Sequence, residues 1–555
     1  MNEFLGHPLD GLSNALLEVR RAFLPPEAFP DGEPAFVEVL LVFDDGTDAN
    51  AILPIAQVNA TGLRKAVPRF LVPRKHRDAF DVALLEEVHR LIELSSAHLL
   101  QAPDSSEPCI GYAFTQSGMH QLPNGQYVFV WGDHVLGDCD LPYVVRCDEH
   151  YIMRTLPISD PLPRLFAELA YADPLVTLGM VFTCATLLRS WITQCTDSWQ
   201  AVLTIVGGQN LGKTKLARRL TDWITDAEDD PALLYSAGST ASAIRDAMVS
   251  ARDLPVVIDD LCLSASPQLQ RKYRDLGAQL VREGANAAPI VKKLPGGKLA
   301  KLKCAAGVIL TAEFALENAS DITRCVFLPI DHPLRMDESL SCGLVGASCA
   351  SFVSWCLRHP AVFEGCLDRS LHKKLISGLP QRTSLNFFVL DAVAELFCRA
   401  ARDAGSDEST LRSVFNIYCG AVDLSLNCQN EILDQLDRQR KKGNIAALLL
   451  EGLNQGVFDL CRKVEKLERH EGMIWHGDLC LRREPLERFV RLQDGYGDYT
   501  ISKIVRELKD IGALVLQEEG TAQVRLKKGT PRVYRIRLDV LKDAAEEFKG
   551  GNTHV

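Results

Sequence analysis

Apolar and polar positions divide this chain into stretches of different periodicity. Phe36-Val37-Glu38-Val39-Leu40-Leu41-Val42-Phe43 and Ala51-Ile52-Leu53-Pro54-Ile55 flank Asp44-Asp45-Gly46-Thr47. β-Branched and aromatic runs about a Gly-containing turn predict a hairpin. Apolar residues at helical spacing from about Asp78 to Leu94 predict a helix, so residues 1–105 read as a small α/β module. The basic cluster Arg74-Lys75-His76-Arg77 is either a solvated loop or a phosphate contact. Ala102 to Pro108 has linker composition. From 109 to 150 the pattern is β, with Gln126 to Trp131 returning after the turn Pro123-Asn124-Gly125. Pro161 to Trp199 reads as helical and closes a lead-in of residues 109–200. Its most apolar run, Leu175 to Trp191, is short for a membrane span and holds three threonines and Arg189. A buried helix is expected there, and no membrane association.

Three short apolar runs follow, each the pattern of a buried parallel strand. After Leu203-Thr204-Ile205-Val206 come Gly207-Gly208-Gln209-Asn210-Leu211-Gly212-Lys213-Thr214, which fit G-x-x-x-x-G-K-[ST]. Lys215 to Leu220 continue as an amphipathic helix. Strand, glycine-rich loop and helix in that order make a phosphate cradle. Backbone N–H groups converge on the anion and the helix N-terminus adds partial positive charge. Lys213 is placed for the β/γ-phosphates of ATP, and Thr214 for Mg²⁺. The second run, Leu254-Pro255-Val256-Val257-Ile258, ends in Asp259-Asp260. Asp259 is placed to hold Mg²⁺, and Asp260 to orient or deprotonate the attacking water. The third, Gly307-Val308-Ile309-Leu310, ends at Thr311-Ala312-Glu313, where Thr311 is the candidate γ-phosphate sensor. Arg324, after Ser320-Asp321-Ile322-Thr323, is either an arginine finger acting on a neighbouring subunit or half of an intrachain ion pair.

Between the second and third runs lies Ile290-Val291-Lys292-Lys293-Leu294, then Pro295-Gly296-Gly297, then Lys298-Leu299-Ala300-Lys301-Leu302-Lys303. This is a hairpin pattern with lysines and no acid. It serves either as a guarded edge or as a DNA-tracking loop through Lys292, Lys293, Lys298, Lys301 and Lys303. Residues 201–331 thus form one ATPase core. Residues 332–470 read as a mostly helical lid and connector, clearest at Glu431 to Arg438 and Asn444 to Lys466. In the tail, 471–549, a helix runs from a Thr500 cap to a Gly512 stop, Ala513-Leu514-Val515-Leu516 starts a strand, and a basic hairpin carries Arg525, Lys527, Lys528 and Arg532. Helix then hairpin is the order of a winged-helix domain, which docks either DNA or protein.

Composition adds limits. With 555 residues the chain exceeds one core, and 47% hydrophobic with 24% charged residues is an ordinary globular balance. A net charge of −11 excludes a polycation, so nucleic-acid contact must come from local basic patches. Seventeen cysteines include no C-x-x-C pair, which argues against zinc ribbons and redox motifs. Cys342, Cys349 and Cys356 repeat at seven and read as packing residues. No leader pattern opens the sequence, so reduced thiols in a cytoplasm are expected.

Residues from about 109 to 540 resemble the helicase-like P-loop ATPase family of unknown function found in phages, plasmids and integrative elements. The resemblance rests on Gly207 to Thr214, Leu254 to Asp260, Gly307 to Glu313 and Thr323-Arg324-Cys325, with Leu122-Pro123-Asn124-Gly125 and the basic tail adding to it. More distantly, Asp259-Asp260 and the lysine hairpin are similar to superfamily 3 replicative helicases, although Thr311 stands where that superfamily usually has Asn. The resemblance implies an α/β, AAA+/superfamily 3-like P-loop core that assembles as a hexameric ring on single-stranded or forked DNA, with other replication or element-encoded proteins as further partners. The expectation is a Mg-ATP-hydrolysing helicase or translocase of a mobile element. Its rival is an ATP-switched regulator or defence scaffold whose winged helix docks a protein or duplex DNA.

Overall fold

The amino-terminal alternation of apolar and charged residues builds the first sheet. The computed structural model describes residues 9, 11–30, 32–98, 109–147, 151–155, 157–196, 199, 201–226, 228, 230–262, 266–286, 289–293, 299–316, 318–334, 339–376, 379–442, 445–493, 499–516 and 522–550. These fall into two compact units, 1–429 and 430–555. In the first, β1 (Ala15–Leu24), β2 (Phe36–Phe43) and β3 (Asp48–Pro54) form an antiparallel meander. The helix α1 (Arg77–His98) covers it, with Phe80, Leu84 and Val88 buried against Leu17, Val19 and Val39. The strand β1 is not evident from its sequence. Its Ala, Leu, Glu and Arg residues are strong helix formers, and only pairing on both edges makes it a strand.

A boundary at 105 does not divide this sheet. The strand β4 (Ile110–Phe114) runs parallel to β1, through Ala22↔Ile110 and Leu24↔Tyr112. After β5 (Gly118–Gln121) and β6 (Tyr127–Trp131), which pair about the Gly125 turn, β7 (Tyr143–Val145) completes the order β3-β2-β1-β4-β7. Linker residues 102–108 lie outside the described residues. The apolar run beyond them is a bent pair, α2 (Pro174–Leu187) and α3 (Arg189–Thr196), with 74° between the two helices. Every residue from Leu175 to Leu187 is buried, and among the described residues no single helix is long and apolar enough to cross a membrane.

The three apolar runs become adjacent parallel strands. They are β8 (Val202–Gly207), β10 (Pro255–Leu261) and β13 (Gly307–Ala312), joined by β9 (Leu234–Ser236) and β14 (Cys325–Ile330) in the order β9-β10-β13-β8-β14. All neighbours in this sheet are parallel. α4 (Lys213–Thr221) follows β8, and α5 (Pro267–Asn286) follows β10. The strands are buried almost throughout, which is why they read as continuous apolar runs. Parallel strands also bring every carboxyl end to one edge, where ligands bind in such sheets.

The lysine segment forms a separate antiparallel pair, β11 (Pro289–Lys293) and β12 (Leu299–Lys303), in the register Lys292↔Ala300 and Val291↔Lys301. The turn and Lys298 lie outside the described residues. The unit ends in long helices, including α6 (Cys342–Arg358), α7 (Gln381–Asp403) and α8 (Glu408–Lys442), the last continuing into the second unit. Cys349 and Cys356 are buried on α6.

The second unit corrects one helix expectation. α9 (Ile445–Asn454) stops well short of Lys466, because Gly456 turns at φ 68° and β15 (Leu460–Cys461) joins a sheet. That sheet adds β16 (Gly472–Trp475), β17 (Asp478–Leu481), β18 (Gln523–Arg525) and β19 (Arg532–Arg537), in the order β15-β16-β17-β19-β18. α10 (Arg483–Arg491) and α11 (Ile501–Asp510) pack on it. α11 starts and stops where its signals lie: the Thr500 hydroxyl accepts from the Lys503 amide, and Gly512 has φ 70°. The strand expected at 513–516 amounts to one bridge, Leu514↔Ile536. The chain closes on α12 (Leu538–Gly550).

Candidate functional site

The loop between β8 and α4 takes a shape that only small residues and left-handed backbone permit. Gly207 lies so close to β14 that an added Cβ would meet the Ile330 carbonyl oxygen at 2.3 Å. Asn210 has φ 59° and Gly212 φ 98°, the latter at the N-cap of α4. The first amides of α4 have no intrahelical acceptor and open onto the loop. Lys213 Nζ folds back to donate to the carbonyls of Gly207 (3.0 Å) and Gly208 (2.6 Å). The loop carries its own cation at its centre.

Beside it, the end of β10 departs from regular pairing. Ile258 pairs with Leu310 and Leu261 with Ala312, so two residues, Asp259 and Asp260, bulge between them. Asp260 sits at φ 72°, which Asp tolerates better than most residues. Thr311, the next residue of β13, fills the gap. Its Oγ1 accepts from the Asp260 amide (2.9 Å) and donates to Asp259 Oδ1 (2.5 Å). Thr214 Oγ1 donates to the same Asp259 oxygen at 3.0 Å. A cavity of about 600 Å³ opens here, lined by Asn210, Gly212, Lys213, Thr214, Asp260, Thr311 and Glu313.

These contacts bring together Lys213, Thr214, Asp259, Asp260 and Thr311 as the sequence motifs anticipate. Two further lining residues, Glu313 and Cys262, carry no motif role in the sequence. Burial first, then the carboxylates of Asp260 and Glu313, raises the Cys262 thiol pKa. Glu313 is legible as the polar end of a buried strand, two residues after Thr311. The Thr214 hydroxyl and the Asp259 carboxylate form an all-oxygen pair, which suits a hard cation that keeps most of its water.

Arg324 lies elsewhere. It immediately precedes β14, whose six residues separate it from the cavity edge by roughly 20 Å. It is 9% exposed, and its Nη1 donates to the backbone carbonyl and, at 2.7 Å, to the hydroxyl of Ser320. Burial first, then Arg382, lowers its pKa. The ion pair at this edge joins Arg282 to the fully buried Asp321, with two bonds of 2.8 Å. Of the other basic candidates, Lys292, Lys293, Lys301 and Lys303 belong to β11 and β12. Arg525 and Arg532 face each other across β18 and β19, both exposed, and Lys528 is exposed in the turn between them. Lys527 pairs with Glu465 at 2.9 Å.

Among solved structures, the chain is similar to one described as an active helicase, Cch of SCCmec type IV. Identity is 13%, the TM-score is 0.55, and the match covers 95% of each chain. A JCV helicase with a bound acetamide compound matches at 12% identity over 45% of this chain and 61% of that one, with a TM-score of 0.19 that carries no argument. No protein-family model and no curated protein matches the chain. The first likeness shows a shared fold.

Proposed function

We propose that the first unit binds and hydrolyses Mg-ATP, and that the chain works as a ring-forming helicase or translocase on single-stranded or forked DNA of a mobile element. The observation that carries this is the meeting of Lys213, Thr214 and Asp260 around one cavity at the carboxyl edge of a parallel sheet, with Asp259 hydrogen-bonded to Thr214. Loop amides and the α4 N-terminus hold the phosphates. Lys213 exchanges its two loop carbonyls for phosphate oxygens. Thr214 and Asp259, already hydrogen-bonded, are the residues that would hold Mg²⁺, which supplies charge neutralisation to the phosphates when bound. Asp260, exposed on the bulge, takes the proton of the attacking water. Arg324 lies at the opposite edge of the sheet from its own cavity, so a role in hydrolysis would be in trans, in a ring.

The lysine hairpin and the basic tail supply the DNA contacts, the tail as a winged helix that includes residues 471–549. The similarity to a described helicase supports the motor assignment. The test is DNA-stimulated ATPase. Replacing Lys292 and Lys301 with Ala should leave basal turnover intact and remove stimulation by single-stranded DNA. The salt dependence of binding should flatten by about 0.7 for each phosphate no longer neutralised. Stimulation equal to the parent's would refute the motor and favour an ATP-switched regulator.

A further inference from the structure

The Thr311 hydroxyl has a single proton, and the structure shows where it goes. Because the oxygen accepts from the Asp260 amide at 2.9 Å, its proton is turned to Asp259 Oδ1 at 2.5 Å. The side chain is 1% exposed, so the hydroxyl is enclosed between the two aspartates although the residue touches the cavity wall. In this arrangement the proton is directed to Asp259 and not into the cavity. The hydroxyl holds something else: the one place where β10 and β13 lose register. Without that bridge the Asp260 amide lacks a partner, and the left-handed bulge that presents the Asp260 side chain loses its tie to β13.

We propose that Thr311 is a positioning residue and not a phosphate sensor: its hydroxyl clamps the bulge, fixing Asp260 toward the cavity and linking it to the oxygen of Asp259 that also receives Thr214. The assignment rests on the ATPase proposed above, and it adds a consequence for regulation of that site. Asp259 Oδ1 receives both Thr214 and Thr311, so a cation held by Asp259 would couple its occupancy to the aim of Asp260. Changing the clamp therefore alters the metal requirement and the turnover, and leaves the phosphate grip of Lys213 untouched.

The experiment compares Thr311→Val, which keeps the shape and removes both bonds, with Thr311→Ser, which keeps the hydroxyl. Parent and variants are measured for ATP and ADP affinity, turnover against Mg²⁺ concentration, and amide hydrogen exchange at Asp260 without nucleotide. In Thr311→Val the clamp predicts turnover lower by about 10²-fold, the scale of a small misplacement of a reacting group. It further predicts a raised Mg²⁺ requirement, an unchanged ATP-to-ADP affinity ratio, and exchange at Asp260 faster by about 10-fold, with Ser restoring most of each. A phosphate sensor predicts the reverse: a falling ATP-to-ADP affinity ratio with Asp260 exchange and Mg²⁺ dependence unchanged. That result overturns the clamp, as does parental turnover in Thr311→Val. Should the parent itself fail to hydrolyse ATP, the ATPase proposal falls, and the exchange at Asp260 still decides whether the clamp exists.

Discussion

Two aspartates stand at opposite ends of one strand, both in left-handed backbone, and they do opposite things. Asp253, just before β10, has φ 57°, and Asp260, near its other end, has φ 72°. Asp253 is fully buried. Its Oδ2 accepts from the Met119 amide (2.9 Å), its Oδ1 from the Ser190 amide (2.7 Å), and Arg252 lies 3.6 Å away. It pins β5 and α3 to the base of the strand. Burial raises its pKa, against the pull of Arg252 and those amides. Asp260 is exposed over a 600 Å³ cavity, with its amide held by Thr311. Unusual backbone therefore does not by itself mark a site. What separates the two is that the Asp253 carboxylate is tied to two amides, whereas the Asp260 carboxylate lines the cavity.

That contrast is tested hardest at Asp260. Asp260→Asn tolerates the same backbone, so the fold and ATP binding should persist while turnover falls by about 10²–10⁴-fold, the range of a lost general base. Turnover at the parental rate would return Asp260 to the structural class. The same contrast applies to Arg324, on the amino edge with Asp253. If it serves a neighbour, Arg324→Ala should bind ATP yet lose about 10³-fold in turnover, and mixing with Lys213→Ala should recover activity, since each subunit supplies what the other lacks. If it is a brace like Asp253, no mixing ratio restores activity and the melting midpoint falls instead. Asp253→Asn should lie at the far end: one of its two amide partners would meet an NH₂ group. About 1–3 kcal/mol of stability should be lost, read by denaturant unfolding, with unchanged turnover per folded molecule.

The two aspartates also show what a sequence can convey. The three apolar runs and the motifs after them are local signals, and Lys213, Thr214, Asp259 and Asp260 meet because parallel pairing leaves them no other edge. Thr311 is legible as a polar group at a strand end, but not where its proton goes. That depends on a bulge defined by register between strands distant in sequence, Asp260 and Thr311 being separated by 51 positions. The same limit hides Asp253, whose partners Met119 and Ser190 are 134 and 63 residues away. It hides β1 as well, whose residues favour a helix until β2 and β4 claim its edges.

The smallest effect concerns the rim of the cavity edge, where β14 ends and Asp331-His332 follows. His332 Nδ1 meets Asp331 Oδ1 at 2.5 Å, and Nε2 meets Asp173 Oδ2 at 3.2 Å. Asp173 caps α2 by accepting from the Leu175 amide at 3.0 Å. Bonding to Asp331 and then Asp173 raises the His332 pKa, and bonding to His332 lowers that of Asp331. A raised imidazole pKa gives stability that is complete below the unfolded value of about 6.5 and is lost as pH rises through the folded value. A lowered carboxylate pKa gives stability that is present above about 4 and is lost as pH falls. The pair thus works in the window between the two. His332 and Asp331 are at the surface, so the effect is small and salt-sensitive. His332→Gln should melt slightly below the parent near pH 5.5, and the gap should close above neutrality and in high salt. A gap that widened with rising pH would mean that neutral His332 holds α2 by its hydrogen bonds alone, and would place this edge with Asp253 among the braces.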